Sequence, residues 1–347
     1  MIKVFRRILL IVLVLGILVA SSGCGENKPV LNVYNWGDYI DESVLNDFEE
    51  EYGIKVNYET YATNEDMYVK IKSGGNNYDV AFPSDYMIEK MIKEDMLMKI
   101  DMNNIPNYKY IDDKFKNLDF DPNNEYSVPY MWGTVGILYN KKVVDEKVDS
   151  WDILWNEKYK KQILMLDSQR DSIAVALKKL GYSLNTKNVE ELEEAKQELI
   201  KQKPLVLAYV GDEVKDMMVG EEAALAVVWS GDAIAMMEEN ENLEYVVPKE
   251  GSNLWFDNMV IPKTCKHKKE AELFINFMTR PQIALRNTQY IGYSTTNEET
   301  WKMLDKQIRE NLVAYPDEED IEGCEVFLDP GEFIKEYDRV WTEVKVH

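Results

Sequence analysis

Histidine is almost missing from this 347-residue chain, which has two. His267 sits in a run of lysines and His347 is the last residue, so there is no histidine pair, no HExxH and no CxxC. That argues against a zinc site and against an imidazole base serving a nucleophile. Neither GxxxxGKS/T nor GxGxxG occurs, so nucleotide binding has no support and no cofactor is expected. Three cysteines are too few for a disulfide framework. Positive charge is scarce as well: 40 Lys and Arg stand against 63 Asp and Glu, a net −23. Such a balance argues against nucleic acid or anionic lipid as ligand and favours cations, although a solvated surface accounts for most of it. There is no internal repeat, no low-complexity segment and no Pro/Gly/Ser linker.

One long apolar run exists. Lys3, Arg6 and Arg7 precede the thirteen residues Ile8 to Ala20, and Ser21-Ser22-Gly23-Cys24 follow. The run is too short to span a bilayer and reads as a secretory signal. The small residues before Cys24 resemble a bacterial lipobox, in which the cysteine becomes the lipidated first residue; Ser21 departs from the usual leucine. An uncleaved anchor is the alternative, and either places the chain outside the cytoplasm. Removing residues 1–23 shortens 347 residues to 324 and takes away three positive charges and no negative one, lowering −23 to −26. A chain of that length suggests two domains, at roughly 100 to 200 residues each. With Cys24 assigned to lipid, Cys265 and Cys324 could form one bridge outside the cell, and sequence does not decide whether they do.

The rest alternates strand and helix. Leu31–Asn35 reads as a buried strand, and Asp41 can cap a helix that presents Val44, Leu45, Phe48 and Tyr52 on one face and stops at Gly53. A strand over 54–58, a helix carrying Met67 and Ile71 broken at Gly74-Gly75, and a strand over 78–82 stopped by Pro83 follow. After Trp151 the rhythm restarts: strand 162–166, helix 170–180, strands 205–209 and 224–229, and a helix from Asp232. Strand 254–262 comes next, then a helix with Ala271, Phe274, Ile275 and Met278, closed by Pro281. This predicts an α/β fold of two lobes, each a mainly parallel sheet flanked by helices, with strand-like crossings near 131–136 and 247–254.

In open α/β sheets ligands lie beyond the carboxyl ends of the strands, so the residues that follow each strand are the informative ones. They are Trp36-Gly37-Asp38-Tyr39, Pro83-Ser84-Asp85-Tyr86, Asp167-Ser168-Gln169-Arg170-Asp171 and Trp229-Ser230-Gly231-Asp232; Trp255-Phe256-Asp257 and Ile291-Gly292-Tyr293 add the same chemistry. Aromatics and carboxylates from both lobes suit an organic ammonium, which loses several kcal/mol of hydration on burial. Carboxylates replace it with charge-assisted hydrogen bonds. A Trp or Tyr face adds about 0.5–2 kcal/mol, and covering the methylene stem adds roughly 0.8 kcal/mol per buried CH₂. Each residue also has a plainer role: Asp41 and Ser84 as helix caps, Asp38, Asp171 or Asp232 likewise, and Trp229 and Trp255 as core. Their shared topological position favours a ligand site.

The stretches "VYNWGDYI", "YDVAFPSDYMIEKM", "VPYMWGTVGILYN", "SWDILWNEKYKKQILMLDSQRD", "VVWSGDA", "LWFDNMVIPK" and "IGYSTTN" resemble, in order and spacing, the spermidine/putrescine-binding lipoproteins of bacterial ABC importers. The resemblance implies a two-lobed, type II periplasmic-binding-protein-like fold with the ligand cleft between lobes: residues 24–132 plus 253–298 as the first lobe and 133–252 plus 299–347 as the second. It implies Trp36 and Tyr39 as cleft walls, Ser84 and Tyr86 closing the first-lobe side, and Trp229 and Trp255 flanking the alkyl chain. Asp171 and Asp257 would bind ammonium groups, with Tyr293 alongside. Ser168 departs from the acidic residue of spermidine-preferring members. Asp232 and Gly37-Asp38-Tyr39 look closer to the putrescine type, so both amines remain open. The resemblance further implies no catalysis, a monomer, and an ABC permease partner in the membrane that carries the lipid anchor. Two rivals stand beside it. Paired carboxylates with stacking aromatics also suit an extracellular glycoside hydrolase. A clamp for a sugar or amino acid would keep the fold, although amino acid capture normally wants an arginine, and Arg170 and Arg286 are the only candidates near the proposed site.

Overall fold

The computed structural model describes residues 29–74 and 76–347; the segment expected to be a secretory signal, Cys24 and Gly75 lie outside them. Strand β1 (Val30–Trp36) pairs in parallel with β2 (Lys55–Tyr61) along its whole length, from Val30↔Lys55 to Trp36↔Tyr61, and with β3 (Val80–Ala81) on its other edge. The helix Glu42–Tyr52 connects β1 to β2. The Asp41 carboxylate caps it by accepting from Ser43 N at 2.9 Å, and Gly53 ends it at φ 68°. Its buried Val44, Leu45 and Phe48 form the predicted face, and Phe48 meets Phe274 and Phe277 edge-on at 5.1 and 5.4 Å.

A fourteen-residue strand, β4 (Ser127–Asn140), is almost wholly buried and belongs to both halves of the molecule. The second half contains β5 (Ile163–Leu166), β6 (Val206–Val210), β7 (Leu225–Trp229) and β8 (Leu243–Val246), with β5 parallel to both β6 and β7. The chain then returns through β9 (Leu254–Val260) and β10 (Ser294–Thr295). Through Thr134, β4 pairs antiparallel with β9; from Val135 onward it pairs antiparallel with β7, and from Ile137 with β8. The strand order β2-β1-β3-β9-β4-β7-β5-β6 thus joins two parallel triplets through the antiparallel crossing pair β9 and β4. Strands such as β5 and β7 read as unbroken apolar runs because helices cover both their faces.

Several boundaries differ from the sequence expectation for identifiable reasons. The strand expected over 78–82 shrinks to two residues because side chains take over its hydrogen bonds. Asp79 accepts from the backbone of Asn32, Lys266 and His267, while the Phe82 carbonyl accepts from Trp36 Nε1 and Tyr61 OH. Pro281 does more than close a helix: it opens the next, Pro281–Ile291, where a missing N–H costs nothing. The helices Val189–Gln202 and Ile334–Val346 had no sequence assignment. They pack against Gln169–Lys179 through Leu192, Leu199, Tyr337 and Val340. The helix Glu298–Met303 packs on the first half of the molecule: Thr300 Oγ donates to Pro281 O at 3.0 Å and Asn297 caps its N-terminus. Cys265 and Cys324 are free thiols.

Candidate functional site

Asp257, in β9, is the centre of the constellation. Its carboxylate is 6 % exposed and accepts from Ser84 Oγ at 2.6 Å and from Tyr39 OH at 2.7 Å. Burial outweighs these two bonds and pushes its carboxyl up to about 6, and among the described residues no cationic side chain acts on it. Ser84 begins the helix Asp85–Lys93 but makes no cap bond, since its hydroxyl is turned to Asp257; the expected cap role gives way to the site. Asn64 holds the arrangement from behind. Its Nδ2 donates to Ser84 Oγ at 3.0 Å and to Tyr86 OH at 3.1 Å, and its Oδ1 accepts from Ser84 N.

On the second half, Asp171 lies in the first turn of Gln169–Lys179. Ser168 caps that helix and donates to Asp171 Oδ2 at 2.7 Å, and Asn253 Nδ2 donates to Oδ1 at 3.3 Å. Burial raises the Asp171 carboxyl despite these bonds and the Arg170 charge. Asp232, in the helix Ser230–Glu239, is equally buried, and burial raises it against the pull of Lys215, whose Nζ stands 3.2 Å from Oδ1.

The aromatics bring these acids to one place. Tyr293 meets Tyr39 and Trp255 edge-on, with centroids 5.5 and 5.2 Å apart. Its phenol is raised well above the usual range by burial and by the charges of Asp232 and Asp257, so it stands near an acid from each half. The Trp255 indole N–H is buried without a partner, and its ring crowds Gly133, where a β-carbon would approach Cζ2 to 2.5 Å. Trp229 is half-buried and packs on the main core. Trp36 is pinned by its bond to the Phe82 carbonyl at 2.8 Å and by the Tyr61 ring at 4.7 Å. Two candidates stand apart from Asp257. Tyr86 donates to Glu65 at 3.0 Å and packs edge-on against Phe327. Asp38 is exposed at φ 47°, caps nothing, and acts on Lys215.

Sequence reasoning missed Asn64, Asn253 and Lys215. Lys215 could have been found, because it follows the strand predicted at 205–209 just as the other candidates follow theirs; the two asparagines leave no such signal. Asp85 was named only for its position. It is fully buried, accepts from Tyr86 N and Phe256 N, and is pushed up to about 8 by burial, so it ties β9 to the helix beneath the site.

Two half-sheets joined by crossing strands, with buried acids and edge-on aromatics from both halves between them, define a solute-binding clamp. The chain belongs to the bacterial extracellular solute-binding proteins, whose family model matches residues 43–308. It is 38% identical to a spermidine/putrescine-binding periplasmic protein of Salmonella typhimurium, over 94% of each chain. It is 34% identical to the putrescine-binding periplasmic protein SpuD of Pseudomonas aeruginosa, over 99% of each. Among solved structures, a putative spermidine/putrescine ABC transporter protein from Listeria monocytogenes superimposes with a TM-score of 0.89 at 46% identity, covering 92% of this chain and 99% of that one.

Proposed function

We propose that this protein captures putrescine and/or spermidine between its lobes and delivers the amine to the transmembrane subunits of an ABC importer, working as a monomer tethered to the membrane by lipid on Cys24. The observation that carries the reading is Asp257: a buried carboxylate fixed by two hydroxyl donors, with no cation among the described residues to balance it. An ammonium placed there supplies the missing charge. Asp171, buried and among the described residues without a cation at ion-pair distance although the Arg170 charge acts on it, takes a second ammonium, and Trp255, Tyr39 and Tyr293 cover the methylene stem, with Trp36, Trp229, Ser84, Tyr86 and Ser168 completing the walls.

In this reading the first lobe comprises 24–132 and the chain from 253 through the helix Glu298–Met303, later than the 298 boundary read from sequence, because Thr300 is held by Pro281. The C-terminal helix Ile334–Val346 belongs to the second lobe, with the helices it covers. Closure works because contacts made only in the closed arrangement shift the equilibrium toward it. A glycoside hydrolase is disfavoured: its similar relatives are named as binding proteins, not hydrolases. The deciding experiment is calorimetric titration with putrescine, cadaverine, spermidine and spermine; an absence of binding to all four, in protein shown to be folded, removes the polyamine reading.

A further inference from the structure

Lys215 lies in the short helix Val214–Val219 that follows β6, at the same edge of the second half-sheet as Asp171 and Asp232. Its ammonium stands 3.2 Å from Asp232 Oδ1 and 3.8 Å from Asp212 Oδ1. The side chain is 34% exposed while that of Asp232 is 9% exposed, so the stem reaches inward from the surface to a buried acid. Asp232, Asp212 and, from the opposite half, Asp38 all favour its charged form, which outweighs the cost of burying it. In the polyamine reading the buried carboxylates of Asp171, Asp232 and Asp257 face one cleft, and they are not equivalent. Among the described residues, only Asp232 has a protein ammonium within ion-pair distance.

A lysine side chain is a four-carbon stem ending in an ammonium, the same chemistry as one end of a short diamine. We infer that Lys215 is a specificity-determining residue: a tethered ammonium that occupies the Asp232 subsite, so that incoming amines anchor on Asp257 and Asp171. An amine end that is to reach Asp232 has to displace Lys215 toward Asp212, whose carboxylate is exposed and within its reach. That exchanges one ammonium for another at the same acid and gains little. Removing the lysine changes the balance, because Asp232 becomes a third buried acid without an ion-pair partner, open to a third ammonium. This inference rests on the polyamine reading and assigns which acids the ligand uses.

The test is spermidine calorimetry on the wild-type protein, Lys215→Met, Lys215→Gln and the double variant Lys215→Met/Asp232→Asn, each first checked for cooperative thermal unfolding. Lys215→Met is expected to bind spermidine about tenfold or more tighter than wild type, as the freed carboxylate gains the third ammonium that spermidine carries and putrescine lacks. Lys215→Gln, which removes the charge but retains a donor to Asp232, should gain in the same direction and serves if the methionine variant does not fold. The double variant should lose the gain. Unchanged or weaker binding by both single variants overturns the inference, as does a gain that survives in the double variant. Failure of the wild-type protein to bind any amine is a different result, seen before any variant is compared: it overturns the polyamine reading and this assignment with it.

Discussion

The ring of Tyr293 rests on the backbone of Gly231: a β-carbon built on Gly231 would stand 1.1 Å from Tyr293 Cδ1 and 1.6 Å from Cε1. The two residues come from opposite halves, since Tyr293 precedes β10 on the first part of β4 and Gly231 follows β7 on the second part. The contact is therefore made across the clamp. Tyr293 has little room to withdraw, being held edge-on by both Tyr39 and Trp255. In Gly231→Ala the added methyl should hold the halves apart. Overpacking of this kind costs about 1–3 kcal/mol, so putrescine affinity should fall by about fivefold or more. Small-angle scattering with saturating amine should show a larger radius of gyration than wild type; an unchanged radius and affinity would mean that the ring moves aside freely.

Asp257→Asn should leave the fold intact, because Asn64 and the backbone still hold Ser84. It should weaken polyamine binding by about 2 kcal/mol or more, within the range expected for truncating a buried charge pair. Calorimetry decides the matter, and an unaltered affinity would take Asp257 out of the site.

The acid–base behaviour of Asp257 has a defined sign. Burial raises its carboxyl from 3.8 to about 6 in the free protein. An ammonium favours the carboxylate, so binding should be strongest above pH 6 and weaken below it, by up to about tenfold per pH unit for each acid that must lose a proton. Near pH 6 binding should release a proton, visible as a dependence of the calorimetric heat on the buffer's ionisation enthalpy. For folding the sign is the reverse of the usual salt-bridged aspartate. The raised carboxyl contributes stability in full below its unfolded value and loses it as pH rises through about 6, so Asp257→Asn should flatten the part of the free-protein Tm profile that falls between about pH 4 and pH 6. Identical Tm profiles for the two proteins would contradict the raised value.

Cys24→Ser tests the anchor. If lipid on Cys24 holds the protein at the membrane, the variant should appear in the soluble or secreted fraction of cells. Membrane association that persists would point to an uncleaved N-terminal segment.

Much of this protein was legible without coordinates because the signals are local. Apolar runs such as Ile163–Leu166 announce buried parallel strands, Asp41 and Gly53 bracket a helix, and the rule that ligands gather beyond strand ends selected Tyr39, Ser84 and Asp171, while Asp257, inside its strand, was named for its chemistry beside Trp255. What tertiary structure decided is how those residues are partnered. Asn64 sits 20 residues from Ser84, Asn253 lies 82 from Asp171, and Asp257 lies 218 from Tyr39, separations at which no periodicity carries information. The sequence by itself determined which side chains reach the mouth of each sheet, since that depends on where a strand stops. Only the folded chain decided that Asp257 meets two hydroxyls and Asp232 meets an ammonium, because the effective charge of a buried acid depends on neighbours drawn together by long-range packing.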